Sequence, residues 1–393
     1  MSSGSLAAFS SQLKMATLAP GLETTPPAEV QEAQRSAEVA SQWKLMWWKF
    51  RKDKLAVVGS VVVLFFYTMA AFAEFFAPKS PEFFNPQYVF APPQPVYFFL
   101  DGRWDPFVYG LKFERDPVSL KKTWSIDYNT RIPWGFFVKG EPYKILGLIP
   151  GDTHLFGPKN PKDPFYLLGA DKSGRDMLSR IIHAARISLT VGLVGVFLSL
   201  IIGVTIGGIS GLLGGVVDVV IQRIIEIVNS VPSLPLMMAL AAVVPPGTPP
   251  VQVYVVITII LALLSWTGMA RVVRGRFLAL REEDFILAAR LDGASRSRLI
   301  FRHMVPSFLS HIIASITISI PYMILSETSL SFLGIGLRPP VVSWGVMLRD
   351  SQQIATVVNY PWLLLPAAAV VIFVLAMNFL GNGLRDAADP YAN

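Results

Sequence analysis

The chain alternates long uncharged apolar stretches with short charged ones, and that alternation predicts its elements. Leu55 to Ala73 is uncharged and is preceded closely by Lys49, Arg51, Lys52 and Lys54. At about 1.5 Å of rise per residue it crosses the ~30 Å hydrocarbon core of a bilayer. Ile187 to Val217 carries no charge, and neither does Ile227 to Ala270, which the breaker Pro245-Pro-Gly-Thr-Pro-Pro250 divides in two. Ser307 to Ser326 and Trp362 to Leu380 complete six predicted spans. Ahead of the first, Val39 to Phe50 sets Trp43, Trp47, Trp48 and Phe50 among lysines, the pattern of an interfacial helix.

The spans divide the chain. Residues 1–40 are rich in Ser, Ala, Pro, Glu and Gln without an apolar period, which predicts a mobile cytoplasmic tail rather than a signal peptide. Residues 41–76 hold the interfacial helix and first span. Residues 77–165 are rich in Pro, Gly and aromatics, and the alternating stretches Gln94–Leu100 and Tyr143–Ile149 predict a small β-rich or irregular lobe. Residues 166–393 form a five-span core carrying a polar loop at 275–306. Lys and Arg gather before the first span, between Arg271 and Arg302, and at Arg385 after the last. The positive-inside tendency therefore puts both termini and that loop in the cytoplasm, with the lobe outside.

Composition agrees. A hydrophobic fraction of 52%, a charged fraction of 16% and a mean hydropathy of +0.49 exclude an ordinary soluble domain. The net charge of +7 sits where membrane topology puts it, so it does not indicate nucleic-acid binding. Zero cysteine excludes disulfides and thiolate chemistry. His154, His183, His303 and His311 show no ligand spacing, so no metal site is expected. Gly169-Ala-Asp-Lys-Ser-Gly174-Arg175-Asp176 has the glycine spacing of a P-loop, but Arg175 and Asp176 stand where the phosphate-reaching Lys and magnesium-ligating Ser/Thr belong. No catalytic residue is assigned, and no cofactor is expected in this chain.

The most informative segment is the loop from Arg271 to Pro306, which contains eight arginines. Asp284, Ala288 and Ala289 lie on a predicted helix, with Phe285, Ala288, Ala289 and Leu291 or Asp292 expected near one face. Gly293 interrupts it, and Ala294 and Ser295 lead into a second short helix that runs by way of His303 to Pro306. Adjacent alanines allow close approach and glycine allows the bend, as a docking plug for a soluble partner requires. The spacing resembles the coupling loop of permease subunits in binding-protein-dependent ABC importers. Leu287, His303 and Val305 depart from the general pattern, and the Arg302-His303-x-x-Pro306 ending is similar to that of the oligopeptide and dipeptide branch. Leu168–Arg180, Glu327-Thr-Ser-Leu-Ser-Phe-Leu-Gly334 and Gly381-Asn-Gly-Leu-Arg385-Asp386 strengthen that resemblance, which covers about Trp43 to Ala77 and Leu167 to Pro390.

The resemblance implies an all-α, six-span membrane fold of the type I importer class, with an extracytoplasmic lobe between spans 1 and 2, in a bacterial or archaeal inner membrane. It also implies a homologous second permease, two cytoplasmic ATPase subunits that bind ATP and Mg2+, and an extracytoplasmic substrate-binding protein, all working within membrane lipid. Peptides are the expected cargo; oligosaccharides, opines and nickel are alternatives. A stand-alone proton-coupled transporter would need convergent ionisable groups at mid-membrane. The spans are nearly charge-free there.

Three internal features remain. Gly203, Gly207, Gly211 and Gly215 make a flat helical ridge for close packing, within this chain or against the second permease. Glu327, about twenty residues into the fifth span, is expected either to line the outer vestibule or to cap the turn after Ser329. Asp218, Arg223 and Glu226 are expected to supply a structural ion pair, Arg223 with Glu226.

Overall fold

The computed structural model describes residues 42–115, 117, 122–245 and 247–388, so the predicted N-terminal tail lies outside the described residues. The helices are α1 (Gln42–Lys52), α2 (Lys54–Ala71), α3 (Met177–Leu213), α4 (Gly215–Ser230), α5 (Ser233–Ala241), α6 (Pro250–Leu280), α7 (Asp284–Leu291), α8 (Leu309–Phe332), α9 (Trp344–Leu348), α10 (Ile354–Asn359) and α11 (Leu365–Ala388), with shorter turns between them. Among the described residues five helices are long and apolar enough to cross a membrane, and α4 with α5 forms a broken sixth candidate, bent by 85°.

Local chemistry places the ends. Asp53 caps α2, its carboxylate accepting from the amides of Leu55 at 2.9 Å and Ala56 at 3.2 Å. Asp176 does the same for α3, accepting from Ser179 N–H at 2.8 Å. Gly214, at φ +62°, ends that helix.

Two spans depart from the hydropathy reading. α3 starts at Met177, ahead of Ile187, and absorbs Arg180, His183 and Arg186 into its first turns. Arg186 finds a tertiary partner, clamping Glu74 with two 2.7 Å hydrogen bonds, Arg180 donates in part, to the Pro81 carbonyl at 3.2 Å, and His183 bonds the Ser179 carbonyl of its own helix at 2.8 Å. The third stretch is not one straight helix. Val231 precedes Pro232 and is held extended (φ −92°, ψ 132°), which separates α4 from α5.

The helices pack around α3, which touches α2, α6 and α8; α11 closes the bundle against α2 and α8. The main core joins Phe66, Met177, Leu189, Met323, Ile324, Trp344 and Phe373.

The chain as a whole is predominantly helical, not all-α, because the segment after α2 builds an antiparallel four-stranded sheet in the order β1-β2-β3-β4. These strands are β1 (Val96–Leu100), β2 (Arg103–Arg115), β3 (Lys122–Ile145) and β4 (Ile149–Pro158). Asp101 and Gly102, at φ 48° and 77°, make the tight turn between β1 and β2. β3 is long enough to pair with β2 through Val108↔Ile132 and with β4 through Phe136↔Phe156. Val108, Ile132 and Trp134 bury their side chains against Phe165. The lobe is fastened to the bundle by His154 Nδ1 on the Ala77 carbonyl at 2.6 Å and by Lys79 N–H on Ser179 Oγ at 3.1 Å. Phe90 also stacks on Tyr360, their ring centroids 4.1 Å apart.

Candidate functional site

α7 protrudes between α6 and α8, at the end of the bundle opposite the lobe. Its C-terminus closes in a Schellman motif: Gly293 N–H donates to the Arg290 carbonyl and Ala294 N–H to that of Ala289, both at 3.0 Å. Gly293 sits at φ +78° with nothing within 4 Å of where a Cβ would lie, so backbone conformation, not crowding, requires glycine. Ser295 then caps the following turn through Arg298 N–H at 3.3 Å. Leu299–Met304 is a π turn. It precedes Pro306, whose ring crowds the carbonyl four residues back and which has no amide to offer it.

The faces of α7 correct the expected grouping of its alanines. Ile286 and Ala289 are buried against Phe277, Leu299, Ile300 and Met304. Ala288 points away with Asp284, and Phe285 and Leu287 are likewise exposed. Leu291 is 89% exposed, which leaves an apolar ridge with no cover among the described residues. Ala294 and His303 are half-buried, while Ser295 and Pro306 are exposed. Arg290, Arg296, Arg298 and Arg302 surround the ridge at exposed positions.

Three of the four ridge glycines pack inside this chain. A Cβ on Gly203 would stand 2.7 Å from Met269 Cβ, one on Gly207 2.8 Å from Ala270 Cα, and one on Gly211 2.6 Å from Phe277 Cβ. α3 and α6 therefore meet almost backbone to backbone. Phe277, which fills the space at Gly211, also belongs to the apolar cluster under α7. Gly215 is not part of this ridge: it follows the helix break, at φ +55°, with nothing within 4 Å. Near the same end Arg223 pairs with Glu226 at 2.7 Å, while Asp218 reaches across to Arg274 at 2.6 Å.

Glu327 is fully buried and lines no open vestibule. Its carboxylate accepts from Ser331 at 2.8 Å, Ser343 at 2.9 Å and Ser188 at 3.3 Å. Each of those hydroxyls also accepts a backbone amide, from Leu337, Val346 and Trp344 respectively. With their lone pairs so engaged, all three hydroxyl protons turn to Glu327, which knots α3, α8 and α9 together.

The groups that face open space inside the bundle are different ones. A cleft of about 660 Å3 lies between α3, α5, α6 and α8, with Ser199, Asn229, Ser265, Thr267, Ser315, Ser319, Tyr322 and Asn378 among its walls. Its lining holds no carboxylate and one cation, Arg271, so it offers hydrogen bonds and a single positive charge. The sequence signal was Ser315, Ser319 and Tyr322, four and then three residues apart and so on one face of α8.

Apolar helices around a polar cleft, with an exposed plug at one end, define a multi-pass membrane transport subunit. Residues 203–392 match the model of the binding-protein-dependent transport system inner membrane component, and residues 41–93 that of the N-terminal TM domain of oligopeptide transport permease C. The dipeptide transport system permease protein DppC of Lactococcus lactis subsp. cremoris (strain MG1363) is 34% identical over 350 residues, covering 88% of this chain and 90% of its own length. The oligopeptide transport system permease protein OppC of Bacillus subtilis (strain 168) is 39% identical over 241 residues, 61% of this chain and 76% of its own. A chain from the solved inward-facing MetNI methionine ABC transporter aligns over 54% of this chain and 97% of its own, at 19% identity and a TM-score of 0.41. The chain belongs to the binding-protein-dependent ABC importer permeases, in the oligopeptide and dipeptide C-type branch. It is the permease subunit of an ATP-driven importer, a transport protein and not an enzyme.

Proposed function

We propose that this chain forms half of the membrane pathway for short peptides, with a homologous second permease across the cleft. The cleft's hydroxyls and amides, with Arg271 as its one charged group, support that cargo, because peptides of varied sequence share backbone hydrogen-bonding groups and a terminal carboxylate. The names of the dipeptide and oligopeptide relatives point the same way. In this reading a binding protein delivers cargo at the lobe side, and two ATPase subunits, holding ATP and Mg2+, dock at α7. The bent α4–α5 pair serves as the third of six spans. Both termini and α7 face the cytoplasm of the inner membrane, with the lobe of residues 77–165 outside.

The observation that carries the coupling role is the uncovered Leu287–Leu291 pair, with Phe285 exposed on another side of α7, on a loop whose buried face is anchored to Phe277. ATPase closure would press on the ridge, and the α3–α6 pair would pass the displacement to the cleft, shifting the balance between two pore states. Leu291→Glu should leave the chain folded and inserted but abolish copurification of the ATPase subunits; retention of a stoichiometric ATPase would refute the role. Topology has its own check. A cysteine at Ser297 should stay protected from an impermeant thiol reagent in intact cells, and one at Leu148, 81% exposed in the lobe, should be labelled once the outer envelope is permeable. The reverse pattern would invert the orientation.

A further inference from the structure

A second cavity, of about 480 Å3, opens at the lobe end of the bundle, between the loop that leads into α3 and the segment around α9 and α10. Lys172, Arg175, Arg180 and Arg349 line it, with Asp350 as the sole carboxylate in its wall. Lys172 is spent on Asp350 at 2.8 Å, and Arg175 on Asp171, which lies behind the wall, at 2.7 Å. The other two guanidiniums are not fully used. Arg180 is 4% exposed and lies 3.5 Å from the already paired Asp171, and its Nε has no hydrogen-bond partner. Arg349 makes no ion pair among the described residues. Its guanidinium occupies space that only a glycine at Gly334 leaves free, since a Cβ there would stand 2.9 Å from Arg349 Cζ. Four cations against two carboxylates leave a positive excess in a concave site with apolar walls at Phe90, Pro339 and Val346.

We propose that this pocket binds the terminal carboxylate of a short peptide at the lobe-side mouth, with Arg349 and Arg180 as its partners. The size falls within the range of small-molecule sites, about 300–1,000 Å3. A planar carboxylate matches the two-pronged geometry of a guanidinium, and the exposed amide of Gln353 at the rim offers hydrogen bonds to the adjoining peptide unit, whereas that of Gln352 already donates to the Phe332 carbonyl. The site lies apart from the cleft between α3, α5, α6 and α8, so it would hold cargo before entry and not during passage. This rests on the peptide reading above.

The test uses the complete importer, without its binding protein, in nanodiscs of neutral lipid. Binding of N-acetyl-alanyl-alanine and of its C-terminal amide is measured by calorimetry. The acid should bind, and the amide about tenfold or more weakly, because the charge-assisted hydrogen bonds are lost. Arg349→Gln should weaken the acid by about the same factor. Gln353→Glu, at an exposed position where folding is not at stake, should weaken it as well by repulsion. Equal binding of acid and amide, or unchanged affinity in both variants, overturns the proposal. So does a result in which neither probe binds while both variants impair docking of the binding protein, which would assign the pocket to a protein carboxylate. Displacement of the acid by anionic lipid at trace levels would overturn it in favour of a headgroup site. Normal peptide uptake with no acid preference removes the pocket and leaves the cargo reading standing; acid binding with no uptake of any peptide removes the cargo reading alone.

Discussion

Replacing Glu327 tests whether one carboxylate fastens three separate stretches of the bundle. Glu327→Ala would strip the acceptor from the hydroxyls of Ser188, Ser331 and Ser343, whose lone pairs already serve the amides of Trp344, Leu337 and Val346. The site is fully buried, so only a water drawn into the cavity left behind can replace the lost bonds. A buried polar group left unsatisfied costs about 1–3 kcal/mol, which gives about 3–9 kcal/mol for three, and rotation of the hydroxyls toward other carbonyls pulls the value to the lower end. Glu327→Gln keeps one carbonyl oxygen, on the side that serves two of the serines, and should cost only about 1–3 kcal/mol. Thermal denaturation of the purified subunit in detergent reads the order directly: wild type above Gln, and Gln well above Ala. Ser343→Ala, which removes one of the three donors, should fall near Gln. If Ala and Gln melt within a degree of wild type, or if Gln is as damaging as Ala, the carboxylate is not the common acceptor.

Gly293→Val should insert normally but lose substrate uptake, because the left-handed backbone at φ +78° costs a β-branched residue about 1–2 kcal/mol or more and the Schellman turn that aims α7 would relax. Gly293→Asn should retain most uptake, and equal uptake by both variants would count against the argument. Gly207→Leu places a side chain against the backbone of Ala270 and should lower subunit yield and thermal stability by overpacking, whereas Gly215→Ala should be far milder in its open surroundings. For Glu74, burial pushes the carboxyl up, but the Arg186 hydrogen bonds and charge outweigh it and hold it below its ordinary value. A depressed folded value adds stability above the unfolded pKa, about 4.3, that is lost as pH falls through the folded one. Melting curves below about pH 4 should therefore drop more for wild type than for Glu74→Gln.

What was legible in the sequence was what depends on neighbours along the chain. The uncharged runs around α2, α6, α8 and α11 announce themselves, as does the Gly293 break. The missed features depend on partners far apart in sequence. Arg186 looks unfit for an apolar helix until Glu74, on another element, pairs with it. Glu327 reads as an interfacial acid because its serines lie at 188, 331 and 343, and only folding gathers them. The bend between α4 and α5 was written in Val231-Pro232 but hidden by an average over an apolar stretch. Ala288 and Ala289 look like a pair in the sequence, yet a helix turns about 100° per residue, enough to leave one buried and the other exposed. Which side is inward was decided by Phe277, eleven residues before Ala288.

The close seam between α3 and α6 sets the gearing of the machine. Gly203, Gly207 and Gly211 contribute no side chains that could change rotamer and soak up a displacement, so the two helices rock as one rod. α6 has 31 residues, a length of about 46 Å. Tilting such a rod by about 5° about one end sweeps the other through about 4 Å, on the scale of a helical pitch of 5.4 Å. Under the coupling role proposed for α7, a modest stroke there would be enough to widen or shut the far mouth, and a slack seam of larger side chains would waste that stroke as local repacking.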